Sequence, residues 1–534
     1  MSRDLFAQAA IAQVPKLLTL MDRNRHSPTY GCGDRNFWHY KIIDFPSGMA
    51  QEFVWPLALA YQTDCPDNPF YRQAALRNWV AAGIRYAARS AHPDGSCDDY
   101  FPFERASGAA AFSLLACLES YEIIGMDDPA VQRFFARRAD WLANHQESGR
   151  LSNHQALIAL GLERLSAQLH SHQWDRAKAL RLEQVLDWQD SEGWFQEYEG
   201  CDPGYHTLTI SCLARLYDLR PDPRIQEAIA KAVELASYFV HPDGSYGGEY
   251  TSRNTYNFFP HGFELVGRWL PQALTINDRF LTGLAQNLGP CYADDHIIGH
   301  HAWNYLLAWQ DFQPRGDDAA PSVIPPERDR IWLPHARLLI DRRQGTELYL
   351  ALNKGGVFKL FRDRQLVVSD TQFSVQVRVG KSVKTAVAHL VGDYRVEQSE
   401  DTITIRGALG WAKQTQMTPL NLLILRVVML TVGRFFPDLI RRLLQRVLIV
   451  GKAPAPFQFV RHLTWEDGQW QVTDELHAQN WDAVQAVAIG GDQTSIYVVM
   501  SRTFQAGQLQ PWLDLTPQVR TLGTGQPLVL KRRL

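Results

Sequence analysis

The chain has no Cys-x-x-Cys pair and no cysteine–histidine spacing of the kind that holds zinc. Its seven cysteines, at 32, 65, 97, 117, 201, 212 and 291, are scattered and odd in number. That pattern argues against a disulfide framework and for small core residues in a reducing compartment. The N-terminus, Met1-Ser-Arg-Asp-Leu-Phe, lacks a basic stretch followed by an apolar run, so no secretory leader is expected and the location reads as cytoplasmic. Charge of one sign is also missing. A net charge of −3 gives nucleic acid no reason to bind the surface as a whole. With 46 % hydrophobic and 21 % charged residues the chain is globular, and 534 residues are too many for one ordinary core. Tryptophan is plentiful, at 16 copies, which suits a large helical core or an aromatic-lined carbohydrate cleft.

Periodicity divides the chain. Residues 1–312 read as helices, with apolar residues at helical spacing over 72–90, 108–124, 155–165, 207–216 and 225–239. His-Pro-Asp-Gly-Ser occurs at 92–96 and 241–245, and Asp190-Ser-Glu-Gly-Trp is a looser copy. Asp94, Asp190 and Asp243 lie 96 and 53 residues apart, near multiples of one helical hairpin. Such a repeat predicts an α/α toroid or solenoid. Residues 313–330, rich in proline and polar groups, read as a linker. From 331 to 534 the period becomes two: Phe373, Val375, Val377 and Val379 alternate with polar residues, as do Ile403 and Ile405. Trp465-Glu-Asp467-Gly468-Gln-Trp470 reads as a hairpin turn. The expectation is an α+β multidomain chain, an α/α toroid followed by an antiparallel β-sandwich.

A helical insertion at about 418–452 interrupts the β pattern. Leu439, Ile440, Leu443, Leu444, Val447 and Leu448 share one face, and Arg426 to Lys452 carry a local charge of +5. The first half is too short, and too interrupted by Arg426, to span a bilayer. The segment 419–450 reads either as a basic amphipathic hairpin on an anionic membrane surface, peripheral on its inner face, or as an insertion packed on the fold.

Two polar pairs stand at helix entries: Asn153-His154 and, 52 residues later, Tyr205-His206. Taken singly, the first reads as a helix cap and the second as a buried aromatic with a bonded tip. In a toroid, successive helix entries gather at one rim, which would bring the pairs together. Asparagine, tyrosine and histidine suit removal of the weakly acidic proton beside a carboxylate: an amide neutralises the developing dianion, and phenol and imidazole move protons. No metal or organic cofactor is required. A third cluster supplies Arg253, Asn254, Tyr256 and His261, with Arg253 and Asn254 suited to a substrate carboxylate. A fourth, Asp294-Asp295-His296 through His300-His301 to Trp303-Asn304, matches no established metal spacing. Trp38, in the aromatic and polar stretch 30–41, is a candidate cleft wall.

Ser152-Asn153-His154 with its apolar helix, and Gly193-Trp-Phe-Gln-Glu197 running on to Tyr205-His206, resemble segments of the heparinase II/III-like polysaccharide lyases. The resemblance, specific over about 150–220, implies a toroid joined to a β-sandwich and an acidic polysaccharide substrate cleaved by β-elimination. It also implies Asn153 as carboxylate neutraliser and Tyr205 as acid/base; Glu197 is a further candidate for the substrate site. Such lyases usually carry a glycine–histidine motif early in the β-domain. The corresponding region here, Leu350-Ala-Leu-Asn353-Lys354-Gly355-Gly356-Val-Phe-Lys359, has no histidine, which leaves His335, His300 and His301 as candidates for a third catalytic group. Other readings on the same scaffold are a uronate epimerase-like enzyme and a membrane-associated glycan-binding or exopolysaccharide-assembly factor. A terpene-cyclase-like toroid, using Asp98-Asp99 or Asp294-Asp295, is the most distant. Sugar, linkage and oligomeric state stay open.

Overall fold

The structure, a computed structural model, describes residues 2–534 apart from 148, 199, 291–296, 316–327, 413–417, 438, 441–442, 444–452, 492–508 and 511. Asp294, Asp295, His296, Leu444, Val447 and Leu448 therefore lie outside the described residues.

Helices fill the first 310 residues. Those that read as apolar all round form an inner ring: α3 (Val54–Gln62), α5 (Ser107–Ile123), α7 (Ser152–Leu169), α9 (Pro203–Leu219), α11 (His261–Val266) and α13 (Ile297–Gln310). Each packs on the next and α13 returns to α3, so the ring closes. Their all-round hydrophobicity follows from cover on every side. The outer helices α4 (Ala74–Ser90), α6 (Pro129–Asn144), α8 (Asp175–Asp187), α10 (Pro223–Ser237) and α12 (Gln272–Ala285) bury one face and leave the other in water. The first helices, α1 (Asp4–Ile11) and α2 (Val14–Leu20), complete the shell, with α1 against α13. This is the expected α/α toroid.

The repeated turns explain its regularity. Each leads from an outer helix to the next inner one, and each uses the same bonds. Gly95 and Gly244 N–H donate to the carbonyls of His92 and His241, and Asp94 and Asp243 accept from Ser96 and Ser245. The looser copy repeats the pattern, with Gly193 N–H donating to the Asp190 carbonyl. Glycine is required twice over. The φ values are +89°, +97° and +87° at Gly95, Gly193 and Gly244. A Cβ would also strike the next outer helix, at 2.5 Å from Arg138 N, 2.5 Å from Lys231 O and 2.3 Å from Gly283 N. Each turn thus pins one hairpin to its successor. Gly244→Ala is expected to cost about 1–3 kcal/mol from backbone strain, with the clash added. Gly125→Ala, with φ +57° and no atom within 4 Å, shows the strain alone in the same urea titration.

Strands follow from Arg328. A five-stranded antiparallel sheet runs in chain order: β3 (Arg328–Leu333), β4 (Leu338–Arg343), β5 (Thr346–Ala351), β6 (Val357–Arg362) and β7 (Gln365–Asp370), numbered after the short β1 (Gln196–Glu197) and β2 (Gly200–Cys201). One face, with Ile340, Tyr349 and Phe361, joins the toroid core. The other, with Leu339, Leu350 and Phe358, joins the core shared with the second sheet. Burial on both faces removes any alternation from 338–361. The nine-stranded second sheet alternates cleanly along β12 (Pro454–Glu466) and β13 (Gln469–Ala478). Their hairpin turns at Asp467 (φ +52°) and Gly468 (φ +74°), the left-handed pair that Asp-Gly favours. The Phe373–Val377 alternation also holds, but Val379 is exposed at the strand end.

The insertion in the β part forms α14 (Pro419–Val428), capped by Thr418. The expected shared face of Leu439, Ile440 and Leu443 is corrected: Ile440 is buried whereas Leu439 and Leu443 are exposed. Among the described residues no helix is long and apolar enough to cross a membrane. The six described cysteines are free and buried.

Candidate active site

Inner helices begin at the rim where the repeated turns lie, so their first residues share that rim. Asp-Pro-Gly-Tyr-His at 202–206 is built for this place. Asp202 caps α9 by accepting from Tyr205 N–H, and Pro203 fits the first turn. The Asp202 carboxylate also accepts from the hydroxyls of Thr251 and Thr255, tying down the 248–257 loop. Gly204 lets that loop close on the helix, since a Cβ would lie 2.2 Å from the Thr255 hydroxyl.

The loop delivers Arg253. Its guanidinium lies over the Tyr205 ring at 4.2 Å and the Tyr198 ring at 4.9 Å, and Nη1 donates to Glu197 Oε2 at 2.9 Å. Glu197 Oε1 accepts from the Asn153 backbone N–H at 3.0 Å and from Nδ2 at 2.7 Å. The carboxylate thereby caps α7. Neither Ser152 nor Asn153 caps it; Ser152 bonds the Gln196 carbonyl instead. Asn153, Glu197, Arg253 and Tyr205 thus form one connected group, drawn from two helix starts and two loops. Tyr198 and Asn254 beside it hold positive φ, of 51° and 59°.

Burial sets the electrostatics. It pushes the Glu197 carboxyl above its usual range, against the opposing Arg253 charge and the Asn153 donors. It likewise raises the Tyr205 phenol, again opposed by Arg253. The Tyr205 hydroxyl makes no hydrogen bond among the described residues, and Asn153 Oδ1 and Arg253 Nε are buried without a partner. Tyr100, in the loop ahead of α5, is 74 % exposed and lies near Asp99, Tyr205 and Tyr198.

His154 adjoins this group. Its Nδ1 lies 2.8 Å from Glu147 Oε2, and the ring meets Phe112 edge-on. Gly108 makes room for it: a Cβ there would lie 2.6 Å from the imidazole.

The other sequence candidates go elsewhere. His206 is core, with Nε2–H donating to the Ala232 carbonyl and the ring against Phe195. His261 bonds Asp311. His300 stacks on Phe112 beside Glu52, and His301 lies buried between Phe259 and Tyr305. Tyr256 accepts from Lys359, and Asn254 accepts from Lys354. Trp38 donates to the Leu20 carbonyl. His335 lies at the seam between toroid and sheet, bonded to Asp190, with its N–H and that of Ala336 on Glu192. Asp190, Glu192 and His335 are also close enough to share a cation, but these bonds already occupy them as a latch. Asp98 accepts from the N–H groups of Phe103 and Arg105 and bonds His92, so its oxygens are engaged within its own turn. Where the histidine motif was sought, Lys354 Nζ donates to the carbonyls of Glu249 and Thr251 and so anchors the Arg253 loop. Sequence reading missed Glu147, Tyr198 and Tyr100. Their signal was placement in the loops ahead of α5, α7 and α9.

Burial pulls His206 down to about 4, so the folded protein keeps it neutral while the unfolded chain binds a proton near the ordinary value. Stability is therefore expected to fall as pH drops from about 6.5 towards 4 and to be indifferent to His206 above about 7. Denaturant titrations of His206→Gln, which keeps a donor for Ala232, check this by a shallower acid slope.

An α/α toroid capped by a two-sheet β part, with polar residues gathered at the inner-helix rim, is the class that the fold defines. Its likeness to solved structures is one of fold. The solved structure of heparinase III matches at TM-score 0.50 and 11 % identity, over 92 % of this chain and 72 % of that one. A chondroitin AC lyase of Streptomyces coelicolor A3 matches at TM-score 0.49 and 9 % identity, over 92 % and 68 %. A cellobiose 2-epimerase from Bacillus thermoamylovorans B4167 matches at TM-score 0.46 and 11 % identity, over 58 % and 98 %. No protein-family model and no curated protein matches the chain.

Proposed function

We propose that the chain is a polysaccharide lyase that cleaves a uronate-containing glycan by β-elimination. The observation that carries this reading is the connected group Asn153–Glu197–Arg253–Tyr205 at the toroid rim. Asn153 gives one amide hydrogen to Glu197 and keeps a second; with Arg253 it supplies donors to a uronate carboxylate, on which charge builds as the neighbouring carbon loses its proton. Tyr205 is the acid/base. Its raised phenol holds the proton in the resting site, and the guanidinium 4.2 Å above the ring stabilises the phenolate while the proton is away. His154, oriented by Glu147, is a second proton carrier. The proton leaves carbon, the electron pair forms the new double bond, the glycosidic bond breaks, and the departing oxygen takes a proton. No cofactor enters these steps.

Incubation with a panel of uronate-containing polysaccharides, followed by the ultraviolet absorbance of the unsaturated product, tests the reading. Growth of that absorbance is the expected result. Glycan binding without product on every substrate would overturn it in favour of a binding factor on the same scaffold.

A further inference from the structure

Helix α14 is attached by one side only. Arg426 reaches Asp44 at 3.0 Å and lies over the Phe45 ring at 5.3 Å, and Met429 is buried on the same side. The opposite stripe, Leu420, Leu423, Ile424 and Val427, follows the i, i+3, i+4, i+7 spacing of one helix face. Those side chains are 52–64 % exposed, and Phe435 and Phe436 beyond them are 67 % and 60 % exposed. So dense an apolar surface is foreign to a helix that ends in water.

We propose that this face lies on an anionic lipid bilayer. The charge favours that occupant: residues 426–452 carry +5 in a chain of net −3. Among the described residues Arg434 is exposed and lies over the Phe435 ring at 4.7 Å, at the end of the apolar surface; anionic headgroups suit that cation while the acyl boundary takes the apolar stripe. Ser47, three residues beyond Asp44, donates its hydroxyl to Asp99, next to Tyr100 in the loop ahead of α5. The bilayer contact therefore lies on the side of the toroid that carries Asp99 and Tyr100. This inference does not depend on the lyase reading.

Flotation of the full-length protein tests it, with phosphatidylcholine vesicles containing or lacking phosphatidylglycerol. The wild type is expected to float with anionic vesicles, and the Leu423→Asp/Phe435→Asp variant at least about tenfold less, with an unchanged melting curve. High salt is expected to weaken binding. Absence of wild-type flotation, equal flotation of variant and wild type, or indifference to phosphatidylglycerol would each overturn the proposal. So would a concentration-dependent dimer that the variant abolishes, since the face would then join two copies.

Discussion

Tyr205→Phe is expected to lower kcat by about 10²–10⁴ while leaving the melting temperature unchanged. The asymmetry comes from the structure. The ring fills the space between α9 and the Arg253 guanidinium, and phenylalanine fills it equally well. The hydroxyl bonds nothing among the described residues, so its loss leaves no orphaned partner. Only proton transfer is removed. Loss of activity with a fall in melting temperature would instead assign the hydroxyl a structural part, and undiminished activity would remove Tyr205 from the chemistry.

Arg461→Leu is expected to cost about 3–5 kcal/mol, the usual penalty for leaving a buried ion without its partner. Arg461, on β12, is fully buried and donates to Asp474 on β13 and to Asp370 on β7 of the other sheet; Arg532 approaches both carboxylates from the side. One guanidinium thus joins the two layers of the sandwich. Burial alone would raise the Asp370 carboxyl, but Arg461 and Arg532 overcome it and hold it below the usual range. A depressed carboxyl contributes stability that is fully present above the unfolded value, near about 4, and is lost as pH falls through the lower folded one. The gap between wild type and Arg461→Leu should therefore be widest at neutral pH and narrow in acid. Urea midpoints across that range measure it, and a pH-independent gap would contradict the charge argument.

How far the sequence could be read depended on how local each signal was. The Asp-Gly turns at Gly95, Gly193 and Gly244 announce themselves because strain at one glycine is a local matter. The hairpin at Asp467-Gly468 is visible for the same reason. Strands 338–361 were harder, since a sheet covered on both faces loses the two-residue period. In the site, Asn153 and Tyr205 were legible as polar groups at the mouths of apolar helices. Their connection through Glu197 and Arg253 was not, because it joins residues 44 to 56 positions apart across loops. His335 illustrates the reverse. Its residue type suggests a catalytic role, but its ring bonds Asp190, and that contact makes it a fastener between toroid and sheet. Lys354 stands where a histidine was sought, and its three acceptors on the 249–254 loop are equally invisible in one dimension.

The closure of the inner ring also bears on the order of events during folding. Phe6 meets Tyr305 at 5.7 Å, and Trp309 donates to Asp4 at 2.9 Å, so the first helix is fastened to the last. Contacts of such separation form late, because a long loop must be closed before they give anything back. During synthesis the N-terminal helices therefore wait, with their apolar side uncovered, until about residue 310 has emerged. The rim that carries Asn153 and Tyr205 is complete only then. Early helices awaiting their last neighbour are the stage at which a chaperone has most to protect.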